Sequence, residues 1–105
     1  MKINEIKLGM SGVSTEGKII SKSEPRRVRT RYGQRSVANA TLEDETGTIN
    51  LSLWEQQIDM VGFDDYVKIE GAYVTEFNNQ LQLNIPRAGE IKITSKGTID
   101  DILDL

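Results

Sequence analysis

Cysteine and histidine are both absent from the 105 residues. Without cysteine there can be no disulfide framework, no thiol nucleophile and no thiolate-held zinc. Without histidine the commonest general base and the commonest metal ligand are missing too. Little enzymatic chemistry survives those two gaps, so the expectation is a protein that is not an enzyme and carries no metal or other cofactor. Long apolar runs are also missing: none approaches the roughly 18–20 residues of a membrane span, and no signal-peptide core opens the chain. The expectation is therefore no membrane partner and a cytoplasmic location. Aromatics are few, with one Trp, three Tyr and two Phe.

Charge is what the chain does have, and it is unevenly placed. The net charge is only −3. Residues 16–35 nevertheless hold seven cations against two carboxylates, a local excess of +5 that leaves −8 for the remainder. A concentrated block steers a polyanion more effectively than the same charge spread over a surface. Within it, SEPRRVRTRYGQR alternates, placing Arg27, Arg29 and Arg31 on one side and Val28, Thr30 and Tyr32 on the other. With Tyr32-Gly33-Gln34 as its tip, the segment reads as a protruding β-ribbon. Arg26 and Arg35 add two further cations at its base. A solvated loop is the plain alternative, but arginines in register favour contact with a polyanion.

The clearest strand is the second half of LEDETGTINLSLW, residues 42–54. Ile49, Leu51 and Leu53 alternate with Thr48, Asn50, Ser52 and Trp54, so the single tryptophan shares a face with polar side chains. The alternation predicts an exposed indole. Asp44–Gly47 reads as the hairpin turn before this strand, its two acids serving turn chemistry rather than a metal.

Other strands fall on either side. Met1–Met10 reads as a helical turn or strap, and Gly12–Ser23 as the first strand, with Gly17 marking a bulge or bend. Ser36–Leu42 supplies the second strand and Glu55–Val61 has room for one or two helical turns. In Tyr66–Val74 the pattern is interrupted at Gly71-Ala72, and a bulge there would turn Tyr73 to the face of Trp54. Phe77 falls in a short loop with Asn78-Asn79 at its tip. In Gln80–Ile85, Gln80, Gln82 and Asn84 face outward. Tyr66 and Phe63 read as core or rim. A short edge pairing is expected over Glu90–Ile93, and TIDDILDL, residues 98–105, reads as a docked helical turn or a recruiting peptide.

Five short strands with one small helix between the third and fourth predict an all-β, Greek-key barrel of the OB type, with an open sandwich as the alternative. The domain spans residues 1–93, and 94–105 form a tail or docked turn. At this point Arg26 through DETG into LSLW, followed by VKIEGAYVTEFNNQLQL, resembles the archaeal single-OB single-stranded-DNA-binding proteins and the OB domains of replication protein A. The resemblance covers roughly residues 5–93. It implies that Trp54, Tyr73 and Phe77 stack on bases, with Tyr73 standing where a tryptophan is common. It further implies a role in DNA replication and repair, near the nucleoid, with replication or repair proteins recruited through the C-terminal end.

A sequence-tolerant binder of single strands needs flat π surfaces along a groove with cations beside them. Arg26, Arg27, Arg29, Arg31, Arg35, Lys18 and Lys22 are the expected phosphate contacts, and Gln80, Gln82, Asn50 and Asn84 the expected base-edge contacts. The partner expected is single-stranded DNA. An RNA-preferring module is a variant of this reading, since stacking does not distinguish the sugars. A protein-interaction subunit that buries Trp54 against a partner is the alternative from another class.

Overall fold

Each strand's apolar alternation dictates which way it faces, and in this chain those faces close on one another. The computed structural model describes residues 1–95. A 3-10 turn, Ile3–Glu5, precedes β1 (Val13–Lys22), β2 (Arg26–Thr30), β3 (Gly33–Asp44) and β4 (Gly47–Trp54). A short helix α1 (Gln56–Met60) then leads to β5 (Tyr66–Phe77), β6 (Gln80–Asn84) and β7 (Glu90–Ser95). Pairing runs β1–β3–β4–β6–β5, and β5 pairs back with β1, so five strands form a closed ring. All pairs are antiparallel except β4–β6. Among the described residues β2 attaches only to β3 and β7 only to β5. The five-strand barrel with a helix after its third strand is thus present, with a ribbon and an edge strand added. Residues 98–105 lie outside the described residues.

The inward set fills the barrel: Ile19, Leu42, Leu51, Leu53, Val67, Ile69 and Leu83 are fully buried. Burying such side chains contributes roughly 1.5–3 kcal/mol each relative to exposure. Ile3 and Ile6 close one end, while Ile58 and Val61 from α1 and its exit close the other. At the first end Asp44 organises the turn between β3 and β4. Its carboxylate accepts from the Ile3 amide at 2.8 Å and from the Thr46 amide and hydroxyl at 2.7 and 2.6 Å. Burial alone would raise this carboxyl. The hydrogen bonds from Thr46, Ile3 and Gly47 outweigh it and hold the group below the ordinary aspartate value.

β1 is shared between two partners, and that sharing bends it. Its first half pairs with β5 and its second half with β3. A Cβ on Gly17 would lie 2.4 Å from the Glu43 carbonyl oxygen, so glycine permits a close backbone approach there. A bulge or a bend is the expectation at Gly17, and the bulge lies three residues on. Ile19 pairs with Leu42 and Ser21 with Thr41, leaving Ile20 as the extra residue. That insertion reverses the phase of the strand beyond it.

Candidate nucleic-acid interface

Tyr73 is brought to the surface by a register shift in β5. Ile69 pairs with Thr15 but Ala72 pairs with Val13, so β5 carries one residue more than β1 across Glu70-Gly71. Gly71 sits at φ +76°, the left-handed region that a glycine reaches without Cβ strain. Burial confirms the change of phase, with Val67 and Ile69 inward before it and Ala72 and Val74 inward after it. The bulge anticipated from Gly71-Ala72 is therefore present. Tyr73 is 42% exposed.

Pairing then places three aromatics on one outer face. Tyr73 faces Asn84, Thr75 faces Gln82 and Phe77 faces Gln80 across β5 and β6, and Gln82 aligns with Asn50 of β4. Trp54 lies two residues beyond Ser52 on the same face of β4. From strand spacing and rise, Trp54 to Tyr73 and Tyr73 to Phe77 are each about 12–13 Å between backbones. Phe77 belongs to β5 rather than to a loop, because Asn78 and Asn79, both at positive φ, complete the reversal in two residues. Its ring is exposed.

Between the rings lies a floor of amides and hydroxyls. Asn50 donates to Gln80 Oε1 at 2.9 Å, Gln82 donates to Ser52 Oγ, and Asn84 donates to Thr75 Oγ1 at 2.9 Å. Each bond is diagonal across neighbouring strands, and together they hold the side chains against the sheet. Ser52, expected to be exposed, is buried as a result. Thr75 was not singled out in the sequence, although strict alternation between Tyr73 and Phe77 points to it. At the Phe77 end the face opens into a notch of about 460 Å³ lined by Thr41, Thr48, Asn50, Gln80 and Leu81 among others.

Trp54 itself is half-buried rather than exposed. It faces Val37 of β3, which in turn faces Arg26 of β2. An arginine, a valine and a tryptophan thus run side by side across three strands. An aromatic ring beside an aliphatic neighbour gives up part of its surface to that contact.

The ribbon's arginines are divided by the same register. The turn is Arg31-Tyr32, with Thr30 opposite Gly33, so β3 begins earlier than expected and the tip is one residue shifted. The Thr30 hydroxyl donates to the Gly33 carbonyl at 2.8 Å and accepts from the Tyr32 amide at 3.1 Å, which fixes the reversal. Arg35, opposite Val28, shares a face with Val37, Arg26 and hence Trp54. Arg27 and Arg29 point to the other face, opposite Ser36 and Gln34. Among the described residues no ion pair involves an arginine.

The two lysines are committed elsewhere. Beyond the Ile20 bulge Lys22 pairs with inward-facing Ala40, and its ammonium donates to the Ile58 carbonyl and, at 2.8 Å, to the Val61 carbonyl. It caps the end of α1 instead of joining the aromatic face, a favourable place for a cation. Lys18 bonds Asp64 at 2.7 Å, and that hydrogen bond, with the carboxylate charge, raises its pKa. Phe63 and Tyr66 are both exposed, so they lie on the rim and not in the core.

Comparisons with known proteins agree with this fold. A family model described as single-stranded DNA binding protein Ssb-like, OB fold, matches residues 6–93. The chain is 35% identical over 83 residues to a protein of Saccharolobus solfataricus named single-stranded DNA binding protein Ssb, a match covering 79% of this chain and 56% of that one. It is 38% identical over 79 residues to a replication factor A of Methanothermobacter thermautotrophicus, covering 70% of this chain and 10% of the other. The chain thus spans about half of the first relative and a small part of the second. Among solved structures, an OB domain from Thermoplasma acidophilum superposes with a TM-score of 0.79 at 27% identity, covering 92% of this chain and 88% of that one.

Proposed function

Because the chain belongs to the Ssb-like, OB-fold family of single-stranded DNA binding proteins, we propose that it binds single-stranded DNA on the outer face of β4, β5 and β6. The observation that carries this reading is the alignment of Trp54, Tyr73 and Phe77 along one face, with hydrogen-bonded amides between them. Each ring takes one base, and the bases between rings rest on the floor of Asn50, Gln80, Gln82 and Asn84. Stacking contributes roughly 1–3 kcal/mol per base and tolerates any sequence, because every base has a π face. The amides donate and accept, so they meet base edges without demanding one pattern.

Arg26 and Arg35 neutralise the backbone where the strand passes Trp54, being the ribbon cations on that face. Their guanidinium planes can also stack on a base. No step of bond making or breaking is involved. The activity is the covering of exposed strands during replication and repair.

The test is a titration with oligo-dT followed by tryptophan emission, since Trp54 is the only indole. Quenching that saturates, and a log–log salt slope of about −0.7 per phosphate contacted, are the expected results. Oligo-dT binding that leaves Trp54 emission unchanged would remove stacking at that residue. A lack of any binding would remove the function itself and favour an OB domain that serves as a protein-interaction subunit.

A further inference from the structure

The ribbon has two faces, and the aromatic site uses only one. Arg27 and Arg29 are exposed on the face turned away from Arg26, Arg35 and Trp54, with Gln34 and Ser36 as their cross-strand neighbours. Arg31 and Tyr32 form the tip, and Tyr32 is 75% exposed. No carboxylate among the described residues forms an ion pair with any of these cations. In a chain whose net charge is −3, gathering five arginines, none ion-paired among the described residues, into ten residues does more than keep the surface solvated.

We propose that this Arg27–Arg29 face is a second nucleic-acid contact, which holds the phosphate backbone of duplex DNA adjoining the single strand bound on the aromatic face. The proposal rests on the single-strand binding proposed above. Side chains on opposite faces of a two-stranded ribbon point in opposite directions, so a single strand lying along Trp54 passes the face opposite to Arg27 and Arg29. Their ligand in this proposal is a second stretch of polyanion.

The chemistry of the Arg27–Arg29 face favours a duplex as that stretch. It offers two arginines whose backbones are about 6.7 Å apart along β2, an amide and a hydroxyl, and its paired residues Arg27, Arg29, Gln34 and Ser36 include no ring on which an unpaired base could stack. Contacts of that kind position a protein on phosphates without reading bases. A two-stranded β-ribbon is also of a size that a major groove admits. Tyr32 at the tip is then placed to lie against the terminal base pair, where the duplex gives way to the single strand.

The experiment compares short oligo-dT, the same oligo-dT as an overhang on a hairpin, and long oligo-dT, for the wild-type protein and an Arg27→Gln/Arg29→Gln variant. Fluorescence anisotropy of labelled DNA reads all three. The wild-type protein should bind the overhang hairpin more tightly than short oligo-dT. The variant should lose about tenfold on the hairpin and about 1.8 of its salt slope, and stay within about twofold on short oligo-dT. Equal loss on hairpin and short oligo-dT would overturn the proposal, because both faces would then serve one strand. Loss on long oligo-dT without loss on the hairpin would overturn it in favour of a second single strand. Wild-type binding to oligo-dT with no preference for the hairpin would overturn this inference alone, whereas no binding to any DNA would overturn the single-strand reading as well.

Discussion

Val37 faces Trp54 directly across β3 and β4, and although it points to the outer face of the barrel it is only 3% exposed. The tryptophan therefore has an apolar neighbour beside it, and in the proposed complex it takes a base as well. Trp54→Ala should weaken oligo-dT binding by about 1–3 kcal/mol, the loss of one stacking platform. It should also lower folding stability by about 1 kcal/mol, as Val37 meets water. Calorimetric titration and urea unfolding measure the two effects separately. Trp54→Phe should recover most of the stability and only part of the affinity.

Gly71 controls where Tyr73 points. A Cβ there would lie 3.2 Å from the Gly89 Cα, and the backbone is at φ +76°. Gly71→Ala should cost about 1–2 kcal/mol of stability in urea unfolding, the penalty of a left-handed residue with a side chain. Deleting Gly71 should be far worse, because it would return Tyr73 to the interior and Ala72 and Val74 to water.

Lys22 should prove structural. Lys22→Ala removes the donor to the Ile58 and Val61 carbonyls, and should lower stability by about 1 kcal/mol while leaving oligo-dT affinity and its salt slope unchanged. A flatter salt slope in this variant would place the ammonium on a phosphate instead.

Asp44 should govern acid stability at its end of the barrel. Its folded pKa is depressed, so its contribution is complete above the unfolded value of about 3.9 and is lost as pH falls through the lower folded value. Asp44→Ala leaves the Ile3 and Thr46 donors without their acceptor and should cost about 1–3 kcal/mol at neutral pH. Unfolding midpoints followed from pH 7 downward should converge between the two proteins as the wild-type carboxylate is protonated.

The barrel and most of its outer face were legible in the sequence because period-2 alternation assigns faces within one strand. Ile49, Leu51 and Leu53 against Asn50, Ser52 and Trp54 needed nothing more, and the break at Gly71-Ala72 marked its own bulge. What alternation cannot supply is the relation between strands. Arg27 and Arg29 were visibly in register with each other, but only the pairing Arg26–Val37–Trp54 shows that they point away from the tryptophan. Lys22 was misplaced for a related reason, since Ile20 carries no glycine or proline to announce that the strand changes phase there. The burial of Ser52 depends on Gln82, a residue on a neighbouring strand thirty positions away in the sequence.

The most direct test of the central claim is a ¹H–¹⁵N NMR titration with oligo-dT. Binding on the face described here predicts that the largest shifts fall on the Trp54 indole, the backbone amides of Tyr73, Thr75 and Phe77, and the side-chain amides of Asn50, Gln80, Gln82 and Asn84. Shifts concentrated around α1 and Phe63, with the Trp54 indole unmoved, would contradict it.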